Sequence, residues 1–253
     1  MIDTHCHIFL EDFEKDLDEV LNRAADAGVK KILMPAINFE SLIAMEKVHH
    51  PKIEFYKMAG VHPGEVTGDH PELQEKLLET CSQDDIIAVG ETGLDYYWSK
   101  EFVEEQRQNL ECHIKVAKEL HKPIVLHNRD STSDILRMIE DEQDGNLTGV
   151  WHCFTGNVEE GLKAIDLGLM LGIGGITTFK NAGVDKTVAQ LPIDKMVLET
   201  DAPYLAPTPK RGKRNEPSFI KYTAQKLADS KELQLKEVID ITTQNANKLF
   251  KLS

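Results

Sequence analysis

Apolar residues fall along this chain in short continuous runs separated by longer amphipathic stretches, and the alternation repeats about eight times. The runs are residues 2–5, 31–36, 55–59, 86–90, 123–127, 149–152, 170–173 and 196–200. Runs this short and this uniformly apolar are expected of strands in a parallel sheet, whose two faces are both covered. The stretches between them carry a helical period. Val103, Gln106, Leu110, Ile114, Ala117 and Leu120 recur at three- and four-residue steps, and Phe13, Leu17, Val20, Leu21 and Ala24 form an earlier stripe that Gly28 ends. Residues 219–228 and 235–249 read as two terminal helices. Alternating strands and helices predict an α/β fold with a parallel sheet, and eight units predict closure into a (β/α)8 TIM barrel. An open doubly wound sheet is the rival arrangement, but no GxGxxG follows the first run, so dinucleotide binding has no support.

Length agrees with this picture: 253 residues suit one barrel domain spanning residues 1–253, and no Pro/Gly/Ser linker or repeat divides them. Cys6, Cys81, Cys112 and Cys153 form no CxxC pair and read as reduced thiols. The first ten residues lack a basic leader and a long apolar stretch, and no run reaches the roughly 18 apolar residues of a membrane span. A cytoplasmic protein is expected, with no membrane association and no obligate protein partner, most simply a monomer. The net charge of −14 argues against coating nucleic acid by bulk attraction. Part of that negative charge is of metal-ligand type, however, and bound cations would offset it.

The candidate chemistry sits where the apolar runs end. His5 and His7 flank Cys6 after the first run, and in extended chain residues two apart share a face. Glu91 follows the fourth run, His127 ends the fifth, His152 the sixth, and Asp201 follows the eighth. Titratable groups at the ends of buried runs are costly unless something compensates them, and in a barrel these ends converge on one mouth. Separate salt bridges account poorly for all six together. Four imidazoles and two carboxylates exceed the needs of one tetrahedral ion, which points to two divalent ions sharing a carboxylate.

Other residues are weaker candidates. His62, after the third run, should reach the same mouth and touch substrate or a proton in transit. His49, His50, His70, His113 and His121 read as solvent-facing or packing residues. Asp3 and Glu199 each precede a proposed ligand by two positions, as orienting acceptors or as buried structural acids. Arg129 follows His127, and the run Lys210-Arg211-Gly212-Lys213-Arg214-Asn215 follows the eighth strand, where this fold often binds phosphate. Arg129, Arg211, Arg214 and Asn215 are therefore candidate phosphate contacts. Tyr97 and Phe154 are candidate surfaces for base stacking, with core packing the alternative for each.

The segments Ile2-Asp3-Thr4-His5-Cys6-His7, Gly90-Glu91-Thr92-Gly93-Leu94-Asp95-Tyr96, Leu126-His127-Asn128-Arg129, His152-Cys153-Phe154-Thr155-Gly156, Glu199-Thr200-Asp201-Ala202-Pro203-Tyr204-Leu205 and Arg214-Asn215-Glu216-Pro217 together resemble the TatD family of metal-dependent deoxyribonucleases. The resemblance spans nearly the whole chain. It implies phosphodiester hydrolysis, typically as a 3′→5′ exonuclease on DNA. It also implies one ion held by His5, His7, Glu91 and Asp201 and a second held by Glu91, His127 and His152, with Glu91 bridging. Magnesium or manganese is expected for activity, with zinc the alternative occupant of the isolated protein. Catalytic roles fall to Asp201, which would orient water or take its proton, and to Glu91. Two rivals keep the same residues: a hydrolase of esters or amides, for instance of D-aminoacyl-tRNA, and a non-catalytic binding protein on the same fold.

Overall fold

The computed structural model describes residues 1–68, 71–98 and 100–252. Eight strands, β1 (Ile2–Asp3), β2 (Lys31–Pro35), β3 (Glu54–Ala59), β4 (Ile86–Asp95), β5 (Ile124–Arg129), β6 (Gly149–Trp151), β7 (Leu169–Ile173) and β8 (Met196–Leu198), form one sheet in chain order. Every pairing is parallel. The sheet curls until its ends meet beyond β1 and β8. There the Thr4 amide donates to the Leu198 carbonyl at 3.0 Å, the Asp201 amide to His5 at 2.9 Å and the His7 amide to Ala202 at 2.8 Å. Helices α1 (Leu17–Asp26), α2 (Ser41–Met45), α3 (Leu73–Cys81), α4 (Val103–Leu120), α5 (Thr132–Glu142), α6 (Val158–Asp166) and α7 (Val184–Gln190) link successive strands, and α8 (Ile220–Lys231) and α9 (Leu235–Phe250) follow β8. This is the expected (β/α)8 TIM barrel. No helix among the described residues is long and apolar enough to cross a membrane.

The strand period places the chemistry. Ile2, Leu33, Met58, Ala88, Val125, Val150 and Val197 pack with Ala246 and Phe250 of α9 into one apolar layer. That layer closes the lower barrel, where each fully buried aliphatic side chain contributes about 1.5–3 kcal/mol. Two positions further along β5, β6 and β8, and so again on the inner side, stand His127, His152 and Glu199. The inner surface thus changes from apolar to ionisable in a single step toward the carboxyl ends.

Strand β4 runs five residues beyond its expected end at Gly90. Its pairing with β5 explains why: Val89 faces Ile124, but Thr92 faces Leu126, so β4 holds one more residue than β5 over this interval. The bulge lies at Gly90-Glu91 and restarts the alternation, which turns Glu91 rather than Thr92 inward. Gly90 has φ +144°, and a Cβ there would stand 2.7 Å from the Val125 carbonyl oxygen, so the position requires glycine.

Helix α4 buries more than its apolar stripe. Asn109 and His113 are buried beside it, as is Gln106 within it. Gln106 accepts from the Asp95 amide at 2.9 Å, Asn109 donates to the Val61 carbonyl and Thr92, and His113 accepts from the Val61 amide at 3.0 Å. These bonds hold the upper ends of β3 and β4. Of the two readings of His113 the structure favours packing. His49 and His121 are exposed, and His70 lies outside the described residues.

Candidate metal centre

Six predicted ligands meet at the mouth. His5 Nε2 lies 3.1 Å and His7 Nε2 3.6 Å from Glu91 Oε2, and the same nitrogens lie 3.9 and 3.7 Å from Asp201 Oδ1. On the other side of Glu91, His127 Nδ1 is 3.1 Å and His152 Nε2 3.3 Å from Oε1. Glu91 therefore has one oxygen turned to each pair of histidines, the arrangement a bridging carboxylate requires. The ion pairs of Glu91 and Asp201 among the described residues are all with histidines, and no lysine or arginine neutralises them.

The electrostatics suit cations. Burial holds His5 well below the ordinary imidazole range and His7 and His62 down to about 4, so these rings are neutral and offer lone pairs. Burial opposes the ionised form of Glu91, but the imidazoles gathered around it, His5, His152 and His62 together with a hydrogen bond from His127, outweigh it and hold the carboxyl well below its usual range. Burial also works against protonated His127 and His152; there Asp95 and Glu91 for the first, and Glu91 and Glu199 for the second, raise the pKa. Asp201 moves the other way, raised by burial to about 7. A divalent ion among these groups would replace the protons that Asp201, His127 and His152 otherwise retain. His5, His7 and Glu91 place ligand atoms within 4.8 Å of one another; so do His5, His152 and Asp201, and so do His62, Glu91 and His127. The donor set thus fits two ions, and by distance alone His62 falls with Glu91 and His127.

The two residues with an even choice of roles now separate. Glu199, wholly buried, accepts from His152 Nδ1 at 3.2 Å and from the Cys153 amide at 2.6 Å, so it orients a ligand. Asp3 reaches no imidazole. It accepts from the Thr200 amide at 2.9 Å and hydroxyl at 2.6 Å, which fixes the turn carrying Asp201 at φ +56°. Burial raises its pKa to about 8.

Over the ligands opens a cavity of about 540 Å³. His62, Asp95, Trp98, Arg129, Tyr204 and Leu205 are among its walls. Arg129 is exposed, with its guanidinium 4.2 Å from the centre of the Tyr97 ring. Trp98 is 79%, Tyr97 55% and Tyr204 51% exposed, which is unusual for large aromatics. Sequence reasoning did not single out Trp98 or Tyr204 as substrate contacts. It missed Asp95, although the Gly93-Leu94-Asp95 segment holds the only acid other than Glu91 on β4 beyond Gly90.

Three expected substrate contacts are corrected. Phe154 is 1% exposed and packs edge-on against Trp151, so it has no open face for a base. Asn215 is 0% exposed and donates to the Thr200 and Tyr204 carbonyls, which ties the loop after β8 to the Asp201 turn. Arg214 bonds both oxygens of Asp16 at 2.9 and 2.7 Å and lies over Phe13, away from the cavity. A further candidate, Arg211, is exposed and stacks on Phe179 at 3.6 Å, outside the walls of this cavity.

Comparison with known proteins agrees with the geometry. The family model for TatD related DNase matches residues 2–251. The chain is 36% identical over 255 residues to the Bacillus subtilis uncharacterized metal-dependent hydrolase YabD, covering both chains completely. It is 32% identical to the 3′-5′ ssDNA/RNA exonuclease TatD of Shigella flexneri, covering 90% of each chain. The crystal structure of the Escherichia coli TatD homologue YjjV superposes with a TM-score of 0.91 at 29% identity, covering 100% of this chain and 98% of that one. With the family model matched across almost its full length and the ligands assembled, the chain belongs to the TatD related DNase family of metal-dependent hydrolases.

Proposed function

We propose that this protein hydrolyses phosphodiester bonds at the 3′ end of single-stranded DNA, using two divalent ions. One ion would be held by His5, His7, Glu91 and Asp201, and the other by Glu91, His127 and His152. The observation that carries this reading is the pairing of a buried, doubly faced Glu91 with an open mouth whose walls hold exposed aromatics and Arg129. Bound divalent ions would supply a water of lowered pKa and neutralise phosphoryl charge. Asp201, beside His5 and His7 in the cavity wall, is placed to orient a water or accept its proton. Arg129, held over Tyr97, would meet a non-bridging oxygen.

Strands β4 and β8 stand opposite each other in an eight-strand ring, so Trp98 and Tyr204 flank the cavity from two sides. Exposed rings suit unpaired bases, which offer a face to stack; duplex bases have both faces covered. Magnesium or manganese is the expected working ion, in a monomer acting in the cytoplasm. The test compares a single-stranded oligonucleotide with a free 3′ end and a D-aminoacyl-tRNA under the same metal conditions. Hydrolysis of the first and not the second is expected; the reverse would replace the nuclease reading with that of an ester hydrolase.

A further inference from the structure

Two hydrogen bonds from groups that can act in only one sense fix what each histidine of the second ligand group presents. The Gly64 amide, which can only donate, bonds His62 Nδ1 at 3.0 Å. In the neutral ring the proton therefore sits on Nε2, the atom 3.3 Å from His127 Nδ1 and 3.7 Å from Glu91 Oε1. His127 is set in the opposite sense. Its Nε2 lies 2.9 Å from Asp95 Oδ2, and the other Asp95 oxygen accepts from the amides of Tyr97 at 3.0 Å and Trp98 at 3.3 Å. With two amides on Oδ1, Asp95 stays an acceptor and retains the His127 Nε2 proton. The neutral His127 ring is then bare at Nδ1, the atom facing Glu91.

We propose that Asp95 is a positioning residue that presents the His127 Nδ1 lone pair to the second ion, and that His62 is a hydrogen-bond donor to a substrate oxygen and not a third ligand. The proposal rests on the metal-dependent hydrolase reading but not on the identity of the substrate. Distance alone would group His62 with Glu91 and His127 around one ion; the direction of its bonds argues otherwise. An Nε2 that carries its proton has no lone pair for a metal. Once His127 Nδ1 is engaged by an ion, the His62 N–H loses that acceptor and is free to meet a substrate oxygen in the cavity it lines. Asp95 also joins two tasks in one carboxylate. It shapes the turn that carries the exposed Tyr97 and Trp98 and sets a ligand below it.

Asp95→Asn separates these tasks, because an amide has one oxygen where Asp95 uses two. Turned to the Tyr97 and Trp98 amides, the oxygen satisfies two donors, and the NH2 group then faces His127 Nε2. That nitrogen must accept, and the proton moves to Nδ1, where it blocks the ligand.

The experiment titrates zinc into metal-stripped protein against a chromophoric chelator, for wild type, Asp95→Asn and His62→Ala. Wild type should take two ions. Asp95→Asn should keep the first-site affinity and bind the second ion about 10–100-fold more weakly, the usual effect of losing a partner that orients a ligand. His62→Ala should bind both ions within about twofold of wild type while losing turnover. Second-site affinity unchanged in Asp95→Asn, or equal weakening of both sites, overturns the role of Asp95. Loss of the second ion in His62→Ala overturns the donor role and makes His62 a ligand. These readouts stand even if DNA proves not to be the substrate; failure of all nucleic-acid hydrolysis would instead count against the function proposed above.

Discussion

Substituting Gly90 with alanine tests whether the bulge in β4 is what delivers Glu91 to the mouth. The added Cβ would lie 2.7 Å from the Val125 carbonyl oxygen, 3.1 Å from Val125 Cβ and 3.2 Å from Val125 N, all on the neighbouring strand. A backbone carbonyl in a parallel ladder cannot swing aside as a side-chain tip can. The residue also holds φ +144°, which costs a residue with a Cβ about 1–3 kcal/mol. Overpacking a filled interior adds about 1–3 kcal/mol. The sum centres on about 4 kcal/mol, and at about 2–4 °C per kcal/mol for a chain near this size the melting temperature should fall by roughly 8–16 °C. Thermal unfolding followed by circular dichroism on metal-stripped protein gives the number without the contribution of bound ions. Because relief of the clash must move Glu91, the folded variant should also lose affinity for both ions. A variant that melts within about 2 °C of wild type and binds two ions normally would refute the role assigned to the bulge.

Further outcomes follow from single residues. Phe154→Ala should destabilise the barrel by about 3–5 kcal/mol in urea unfolding, as expected for a wholly buried ring; unchanged stability with weakened substrate binding would restore Phe154 to the mouth. Glu199→Gln removes the charge beside His152 Nδ1 and should weaken metal binding about 10–100-fold, read by zinc competition. Trp98→Ala should raise KM for single-stranded DNA about tenfold through loss of base stacking while leaving thermal stability unchanged, since the ring is 79% exposed. Glu216 carries a pH-dependent term. Burial would raise its pKa, but bonds from Arg23 and Ser218 hold it below the ordinary value. Its contribution is therefore complete above the unfolded carboxyl pKa of about 4.3 and is lost as pH falls through the lower folded value. Arg23 is half exposed, so the contribution is discounted to about 1 kcal/mol. Glu216→Gln should be less stable than wild type by that amount at pH 7, and the difference should close toward pH 3.

The barrel and its six candidate ligands were legible because both depend on strong local signals: buried strands read as apolar runs, and the candidates interrupt those runs at their carboxyl ends. What the sequence hid was decided by geometry that a run of letters does not carry. The bulge at Gly90-Glu91 lengthens β4 through its register with β5 and not through composition. Asn109 and His113 lie outside the stripe that marks the buried side of α4, yet they are buried because β3 and β4 offer them bonding partners. Phe154 sits two residues after His152, and Asn215 lies in the loop after β8, but both are buried away from the cavity. Asp95 and Trp98 belong to the site because the extended β4 carries them up to its rim. Residue type and position gave the candidate ligands; hydrogen-bond direction distinguishes the roles proposed for His127, His152 and His62.

The most direct test of the central claim is nucleotide release from 3′-labelled single-stranded DNA by metal-stripped protein, with magnesium, manganese or zinc restored in turn and His127→Ala assayed beside it. Release that depends on added metal and disappears in His127→Ala is the predicted result. Confirmed binding of two ions with no release under any metal would contradict the nuclease account.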